Sequence, residues 1–128
     1  MLDEQERALQ QAILTGPAPL GPGRSASRAP SYAARLRAFV DAYLDYALAH
    51  LDLIRVSETG SPGARYRIGA YRFWHRHVSL LLSHQADPDA LAHALLAQLA
   101  ADHLGAMVTE LGAARLRRAA RAFVDALC

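Results

Sequence analysis

An all-α fold is predicted for this chain, a bundle of about five to six helices in a single domain spanning residues 1–128. Hydrophobic residues make up 52% of the sequence, and alanine and leucine, the strongest helix formers, dominate them. Apolar residues recur every three to four positions in several segments, which is the spacing of one helix face. No segment alternates apolar and polar residues, so we expect no sheet.

Charge and cysteine content limit the class of protein. The net charge is +2, and arginine supplies every basic side chain besides histidine; a charge this small does not favour nucleic-acid binding. Cys128 is the single cysteine and cannot form an internal disulfide, which fits a reducing compartment. No apolar stretch approaches the ~20 residues that span a bilayer. We therefore expect a soluble, cytoplasmic protein without a membrane partner.

The first two predicted helices are separated by a loop. A helix is expected over about 2–14 and ends at Thr15-Gly16-Pro17. The segment 15–31 holds four of the six prolines and three of the eight glycines, which predicts a flexible connection. The next helix begins after Ser31, a good N-cap. Its apolar stripe runs to Leu51 and leaves a polar face, Arg37, Asp41 and Asp45, toward solvent.

The remaining helices are marked by caps and prolines. A short helix is expected over about 52–58. A central helix over about 62–84 starts at Ser61-Pro62 and is apolar or aromatic on most sides, which predicts burial by several neighbours. Asp87-Pro88 starts one continuous helix over about 88–110. Gly112 ends it, and a last helix follows over 113–127.

This order of helices resembles the C-terminal regulatory domain of TetR-type bacterial repressors. The resemblance covers nearly the whole chain and is carried by LDEQERALQQAIL, by RLRAFVDAYLDYALAHLDLIRVSETGSPGARYRIGAYRFWHRHVSLLL and by PDALAHALLAQLAADHLGAMVTELG. In that family an acidic helix leaves a DNA-binding head, an aromatic helix lies centrally, and the last two helices pair with a second subunit. We find no helix-turn-helix head in this sequence, so DNA is expected to be bound only through an N-terminal domain that this chain lacks.

The resemblance implies a pocket for a hydrophobic small-molecule effector. Its expected lining combines aromatic, histidine and apolar side chains of three helices: Phe39, Tyr43, Tyr71, Trp74, Val78, His103 and Met107. Apolar clefts with a few polar groups are typical of small-molecule sites. Ordinary core packing is the alternative for each residue taken singly, because aromatic side chains at helical spacing usually fill a bundle.

Small residues on the last two helices predict close helix packing. The expected interface comprises Ala94, Ala97, Ala101, Gly105, Leu116, Ala119 and Phe123. Rows of small residues let helix backbones approach closely, either within one chain or between subunits. The resemblance favours the second possibility, a homodimer formed by the two C-terminal helices.

No metal, cofactor or catalytic site is expected. His75 and His77 are two residues apart and so point to different sides of a helix. Asp89 and His93 are four apart, which fits a solvated contact near a helix start. Asp102 and His103 are adjacent and diverge, and no activated nucleophile is recognisable. We therefore expect a protein that is not an enzyme.

The last helix is rich in arginine, at positions 115, 117, 118 and 121. A basic recognition helix is one interpretation, but the small net charge favours a solvated face with Arg121 paired to Asp125. The sequence thus predicts the small-molecule-sensing and dimerisation domain of a TetR-like regulator. The alternative is a stand-alone helical interaction protein that binds no ligand.

Overall fold

The computed structural model describes residues 31–128, and these residues form seven helices and no strand. The helices are α1 (Tyr32–Ala49), α2 (Leu51–Thr59), α3 (Ala64–Arg67), α4 (Gly69–Leu81), α5 (Pro88–Ala97), α6 (Ala101–Leu111) and α7 (Ala113–Leu127). The predicted all-α class is confirmed. The helix expected over 2–14 and the loop expected from residue 15 up to residue 30 lie outside the described residues.

Helix α1 begins where the sequence predicts. The Ser31 hydroxyl accepts a hydrogen bond from the Ala34 N–H at 3.1 Å, so it satisfies one of the free donors of the first turn. The predicted stripe is buried from Leu36 to Ala47, whereas Tyr32 at its start is exposed. This stripe forms one wall of the core.

The predicted central helix is shorter than expected and starts later. Ser61 and Pro62 do not open it; a turn passes through Gly63, whose φ is +72°, a conformation that glycine adopts without steric cost. The short α3 follows, and Ile68 is in an extended conformation before α4 begins. Helix α4 buries Tyr71, Trp74 and Val78, with the Trp74 ring against Tyr43 of α1, but its opposite face is exposed.

The helix expected over 88–110 is two helices. Asp87 caps α5 as predicted, with its carboxylate accepting from the Ala90 N–H at 3.1 Å. However, α5 ends at Ala97, and Ala100 is extended before α6 starts. The two helix axes differ by 53°. The prediction of one continuous helix was therefore wrong.

A buried ion pair explains this bend. Arg65 and Glu58 are only 5% and 8% exposed and contact each other directly. Arg65 also donates to the Leu96 carbonyl of α5 at 2.7 Å, while Glu58 accepts from the Ala101 N–H of α6 at 2.9 Å. Backbone groups that the interrupted helix leaves free are thus satisfied by side chains from α2 and α3.

Helix α7 packs along α1 through charged as well as apolar contacts. Gly112, at φ +82°, separates it from α6 as predicted. Three ion pairs join α7 to the polar face of α1: Arg37–Asp125 at 2.6 Å, Arg117–Asp45 at 2.8 Å and Arg121–Asp41 at 2.9 Å. The predicted pairing of Arg121 with Asp125 was therefore wrong, because each binds a residue of α1 instead.

One continuous core holds these helices together. Its members are the buried apolar side chains of α1, α4, α5 and α6, with Ile54 from α2, Leu116 and Val124 from α7, and Leu82 and Leu99 from the connections between helices. Burial of such side chains supplies about 1.5–3 kcal/mol each. The helices that carry the polar residues of the candidate site are therefore held in place by their buried faces.

Within residues 31–128, no single helix has both the length and the hydropathy needed to cross a membrane, and only α5 and α6 taken together as a bent pair reach them.

Candidate functional site

A groove lies between α4 and α5 and has a volume of about 830 Å³. It is lined by aromatic, histidine and charged side chains that include Tyr66, Tyr71, Arg72, His75, Arg76, Asp89 and His93. Pockets of about 300–1,000 Å³ are typical of small-molecule sites. The size of the groove therefore suits a small organic molecule.

Helical spacing places these residues in one groove. Arg72, His75 and Arg76 stand three and four positions apart on α4, so they share a face. Asp89 and His93 are four apart on α5 and face the same space. Because Pro88 begins α5 and Asp87 caps it, the register of Asp89 and His93 is fixed by local signals.

Two histidines and an aspartate meet across the groove. The distance from His75 Nε2 to Asp89 Oδ1 is 3.0 Å, and that from His93 Nε2 to the same oxygen is 3.9 Å. The two imidazoles stack with ring centroids 3.9 Å apart. These three residues are the one group in residues 31–128 whose ligand atoms are placed to hold a metal ion.

Tyr71 supports this cluster from the core side. Its hydroxyl is 2.6 Å from His93 Nδ1, and the Arg65 guanidinium lies 5.3 Å from the centre of its ring. Burial raises the pKa of the Tyr71 phenol, and the nearby positive charge of Arg65 only partly opposes this shift. The phenol is therefore neutral at pH 7 and holds the His93 ring by a hydrogen bond.

Two arginines give the groove its positive charge. Arg72 and Arg76 are exposed and line the groove, and neither forms a hydrogen bond or ion pair within residues 31–128. On α7, Arg117 and Arg121 are neutralised by Asp45 and Asp41 of α1, whereas Arg115 and Arg118 are exposed and lie outside the groove with its aromatic residues. Guanidinium groups without acidic partners are suited to bind carboxylate or phosphate.

The seven residues predicted to line a pocket do not share one cavity. Phe39, Tyr43, Trp74 and Val78 are buried in the core, where the Tyr43 and Trp74 rings meet edge to face at 4.8 Å. Tyr71 lines the groove. His103 and Met107 line a separate cavity of about 110 Å³ beside α7. Whether any of the seven binds an effector stays a prediction.

The residues predicted to form a dimer interface do not lie on one surface either: some are buried within the chain and others are exposed. Ala101 and Leu116 are buried in the core. Gly105 faces α2, where a β-carbon at this position would lie 3.5 Å from Leu51, so this part of the row serves a helix crossing within the chain. Ala94, Ala97 and Ala119 are exposed and Phe123 is half-buried. These four remain available for a second subunit.

His77 lies on the core side of α4, opposite the groove. Its ring is 1% exposed and packs 5.3 Å from the ring of Phe39. Neither ring nitrogen has a hydrogen-bond partner within residues 31–128. Burial, aided by the positive charge of Arg35, lowers the pKa of His77 to about 4. The residue is therefore neutral at pH 7 and belongs to the core.

The groove was not predicted from the sequence. Asp89 and His93 were recognised as an i,i+4 pair, but their partner His75 comes from another helix, fourteen residues earlier than Asp89. The sequence did contain one indication of the groove. Arg72, His75 and Arg76 form a polar row on a helix that was predicted to be buried on most sides. That row marks the open face of α4.

Comparison with protein-family models, with curated proteins and with solved structures found no match to this chain. The function is therefore argued from the geometry of the groove and from the chemistry of its side chains.

Proposed function

We propose that this chain is a small-molecule-sensing domain whose ligand binds in the groove between α4 and α5. The ligand is a small organic anion with an aromatic or apolar body. The observation that carries the proposal is that one groove of about 830 Å³ combines the exposed ring of Tyr66 with two arginines that form no ion pair within residues 31–128.

The lining explains this choice of ligand. Tyr66 is 47% exposed and meets the Tyr71 ring edge to face at 5.0 Å, so it offers an apolar surface to a ring or alkyl group. Arg72 and Arg76 supply planar donors that match a carboxylate or a phosphate. Asp89 contributes one negative charge, and the two arginines outweigh it.

A regulatory role follows from the resemblance to TetR-type repressors and from the position of the groove. Tyr71 at its edge contacts Arg65, which donates to the carbonyl of Leu96 beside the bend between α5 and α6. A ligand that binds one arrangement of this bend more tightly than another shifts the population between them. Such a shift would be passed to a second subunit or to a DNA-binding domain.

The proposal includes a homodimer through the exposed parts of α5 and α7. Its residues are Ala94, Ala97, Ala119 and Phe123, and a specific interface requires at least about 1,200 Å² in total. Ala97→Arg is expected to dissociate the dimer in light scattering, whereas Ser83→Arg at an exposed position outside the proposed interface is not. A wild-type protein that is monomeric at micromolar concentration would overturn this part of the proposal.

The ligand site is tested with a panel of aromatic carboxylates and phosphates. Binders should raise the melting temperature by mass action. The double variant Arg72→Ala/Arg76→Ala should lose that effect, whereas Arg115→Ala/Arg118→Ala, which removes the same charge from exposed positions of α7, should keep it. If the two variants respond alike, or if no compound stabilises the wild type, the groove is not an anion-binding site and the stand-alone interaction protein becomes the better interpretation.

A further inference from the structure

We propose that His75, Asp89 and His93 form a binding site for a divalent transition metal, with Zn²⁺ as the best fit. Two imidazoles and one carboxylate are ligands that zinc uses in proteins. The three residues come from two helices, and their ligand atoms all lie within 4.8 Å of one another. Zinc binding goes beyond the sensing function and does not depend on an organic ligand.

The distances suit one small ion. Zinc binds nitrogen and oxygen at about 2.0–2.2 Å, so two ligand atoms of a tetrahedral site are about 3.4 Å apart. The two distances to Asp89 Oδ1, 3.0 Å from His75 Nε2 and 3.9 Å from His93 Nε2, lie on either side of that value. Shifts of about half an ångström therefore bring both pairs to the tetrahedral value.

The side chains have room for these shifts. The imidazole rings are stacked, with centroids 3.9 Å apart and planes inclined by 22°. Two imidazoles on one tetrahedral zinc stand about 5 Å apart with the ion in both ring planes, so the rings must rotate out of this stack to bind it. The side chains of Asp89 and His93 are 78% and 48% exposed, so solvent borders both of them. Asp89 can rotate, and the His93 ring can turn about its hydrogen bond to Tyr71. His75 is less exposed, at 21%, and serves as the fixed ligand.

Tyr71 supplies the support that metal-binding histidines usually have. Its hydroxyl is 2.6 Å from His93 Nδ1, so the other nitrogen, Nε2, is the one that faces Asp89. The tautomer that binds a metal through Nε2 carries its proton on Nδ1 and donates it to the Tyr71 oxygen, and this hydrogen bond fixes the orientation of the ring. This contact distinguishes the cluster from an accidental group of surface residues.

Three protein ligands leave one position open on a tetrahedral zinc ion. Water fills that position, or an anionic oxygen of a molecule in the groove. Arg72 and Arg76 line the same groove and would favour a negatively charged occupant.

The test is calorimetric titration of the tag-free chain of residues 1–128 with Zn²⁺ alone. The background variant Cys128→Ser is used because Cys128 is exposed and cysteine thiolates are zinc ligands. We expect one ion per chain with Kd in the micromolar range or tighter. Binding should weaken at acidic pH, because zinc and a proton compete for the same imidazole nitrogen.

Variants show whether the three residues hold the ion. His75→Ala, Asp89→Ala and His93→Ala should each weaken binding at least tenfold, and Tyr71→Phe should weaken it by about tenfold through loss of the supporting hydrogen bond. His103→Ala, an exposed histidine of α6, is the control and should leave the affinity unchanged. Circular dichroism and melting temperatures without zinc verify that the variants fold.

Two results would overturn the metal site: a Kd weaker than millimolar in the Cys128→Ser background, or equal weakening by His103→Ala and His93→Ala. The zinc titration contains no organic ligand, so its failure would not refute the proposed ligand site. In the same way, failure of the ligand panel would not refute the zinc site. Tetrahedral absorption bands of bound Co²⁺ that disappear in His75→Ala provide a second readout.

Discussion

Arg65 and Glu58 form a buried ion pair at the point where α5 bends into α6. Each partner also binds a backbone group of the bend, the Leu96 carbonyl or the Ala101 N–H. The two residues are seven positions apart in the sequence, and they form hydrogen bonds with residues more than thirty positions later. It therefore fixes the relation between the groove helix α5 and the rest of the bundle.

The first prediction concerns the loss of one member of this pair. Arg65→Met should lower the free energy of unfolding by about 3–5 kcal/mol, because it leaves the Glu58 carboxylate buried and without its counter-charge. Urea denaturation followed by circular dichroism measures the change. Glu58→Gln/Arg65→Met, which removes both charges, should be less destabilised than Arg65→Met.

An exposed ion pair provides the control. Asp52 and Arg55 are 3.4 Å apart on the surface of α2, and Asp52→Asn should change the free energy of unfolding by less than about 1 kcal/mol. Equal effects of Arg65→Met and Asp52→Asn would mean that the buried pair does not stabilise the bend.

The second prediction concerns the ion pairs between α1 and α7. Asp41→Arg should destabilise the fold by about 0.5–1 kcal/mol, since it places two positive charges together. The swap Asp41→Arg/Arg121→Asp should recover most of the loss, and high salt should reduce both effects. If the swap restores none of the lost stability, Arg121 does not face Asp41, and the described packing of α7 on α1 is contradicted.

The third prediction is an acid-dependent loss of stability at His77. Its pKa falls from about 6.5 in the unfolded chain to about 4 in the fold, so the unfolded state binds the extra proton between these values. The stabilisation of the fold that comes from keeping His77 neutral is complete above pH 6.5. It is lost as the pH falls toward 4, which lowers the free energy of unfolding by up to about 3 kcal/mol.

Unfolding free energies between pH 7 and pH 4, measured without added metal, test this linkage. His77→Leu should flatten the pH dependence, while Val56→Ala, at an exposed position without a titratable group, should leave it as in the wild type. A steep dependence that persists in His77→Leu would assign the acid sensitivity to other groups.

The local features of this fold could be predicted from the sequence. Ser31, Asp87 and Gly112 act through neighbouring backbone groups, so their identity and position are sufficient to mark the ends of α1, α5 and α6. The helical periodicity likewise identified the buried face of α1. Each of these signals depends on residues within a few positions of one another.

The bend and the groove depend on residues that are distant in the sequence. The segment 98–100 carries no proline or glycine, and the bend is held by Glu58 and Arg65, which no local pattern connects to it. In the same way, the His75–Asp89 contact requires the packing of α4 against α5. Spacing within one helix cannot reveal a site whose parts come from two.

The fourth prediction addresses the central claim that the groove between α4 and α5 is the binding site. Heteronuclear NMR of the labelled protein, titrated with the best aromatic acid from the panel, reports where the compound binds. We expect changes in chemical shift concentrated at the side chains of Tyr66, Tyr71, His75 and His93. The guanidinium protons of Arg72 and Arg76 should exchange more slowly with water. Shifts confined to His103 and Met107, beside the small cavity near α7, would contradict the account, as would saturation without any change in the groove.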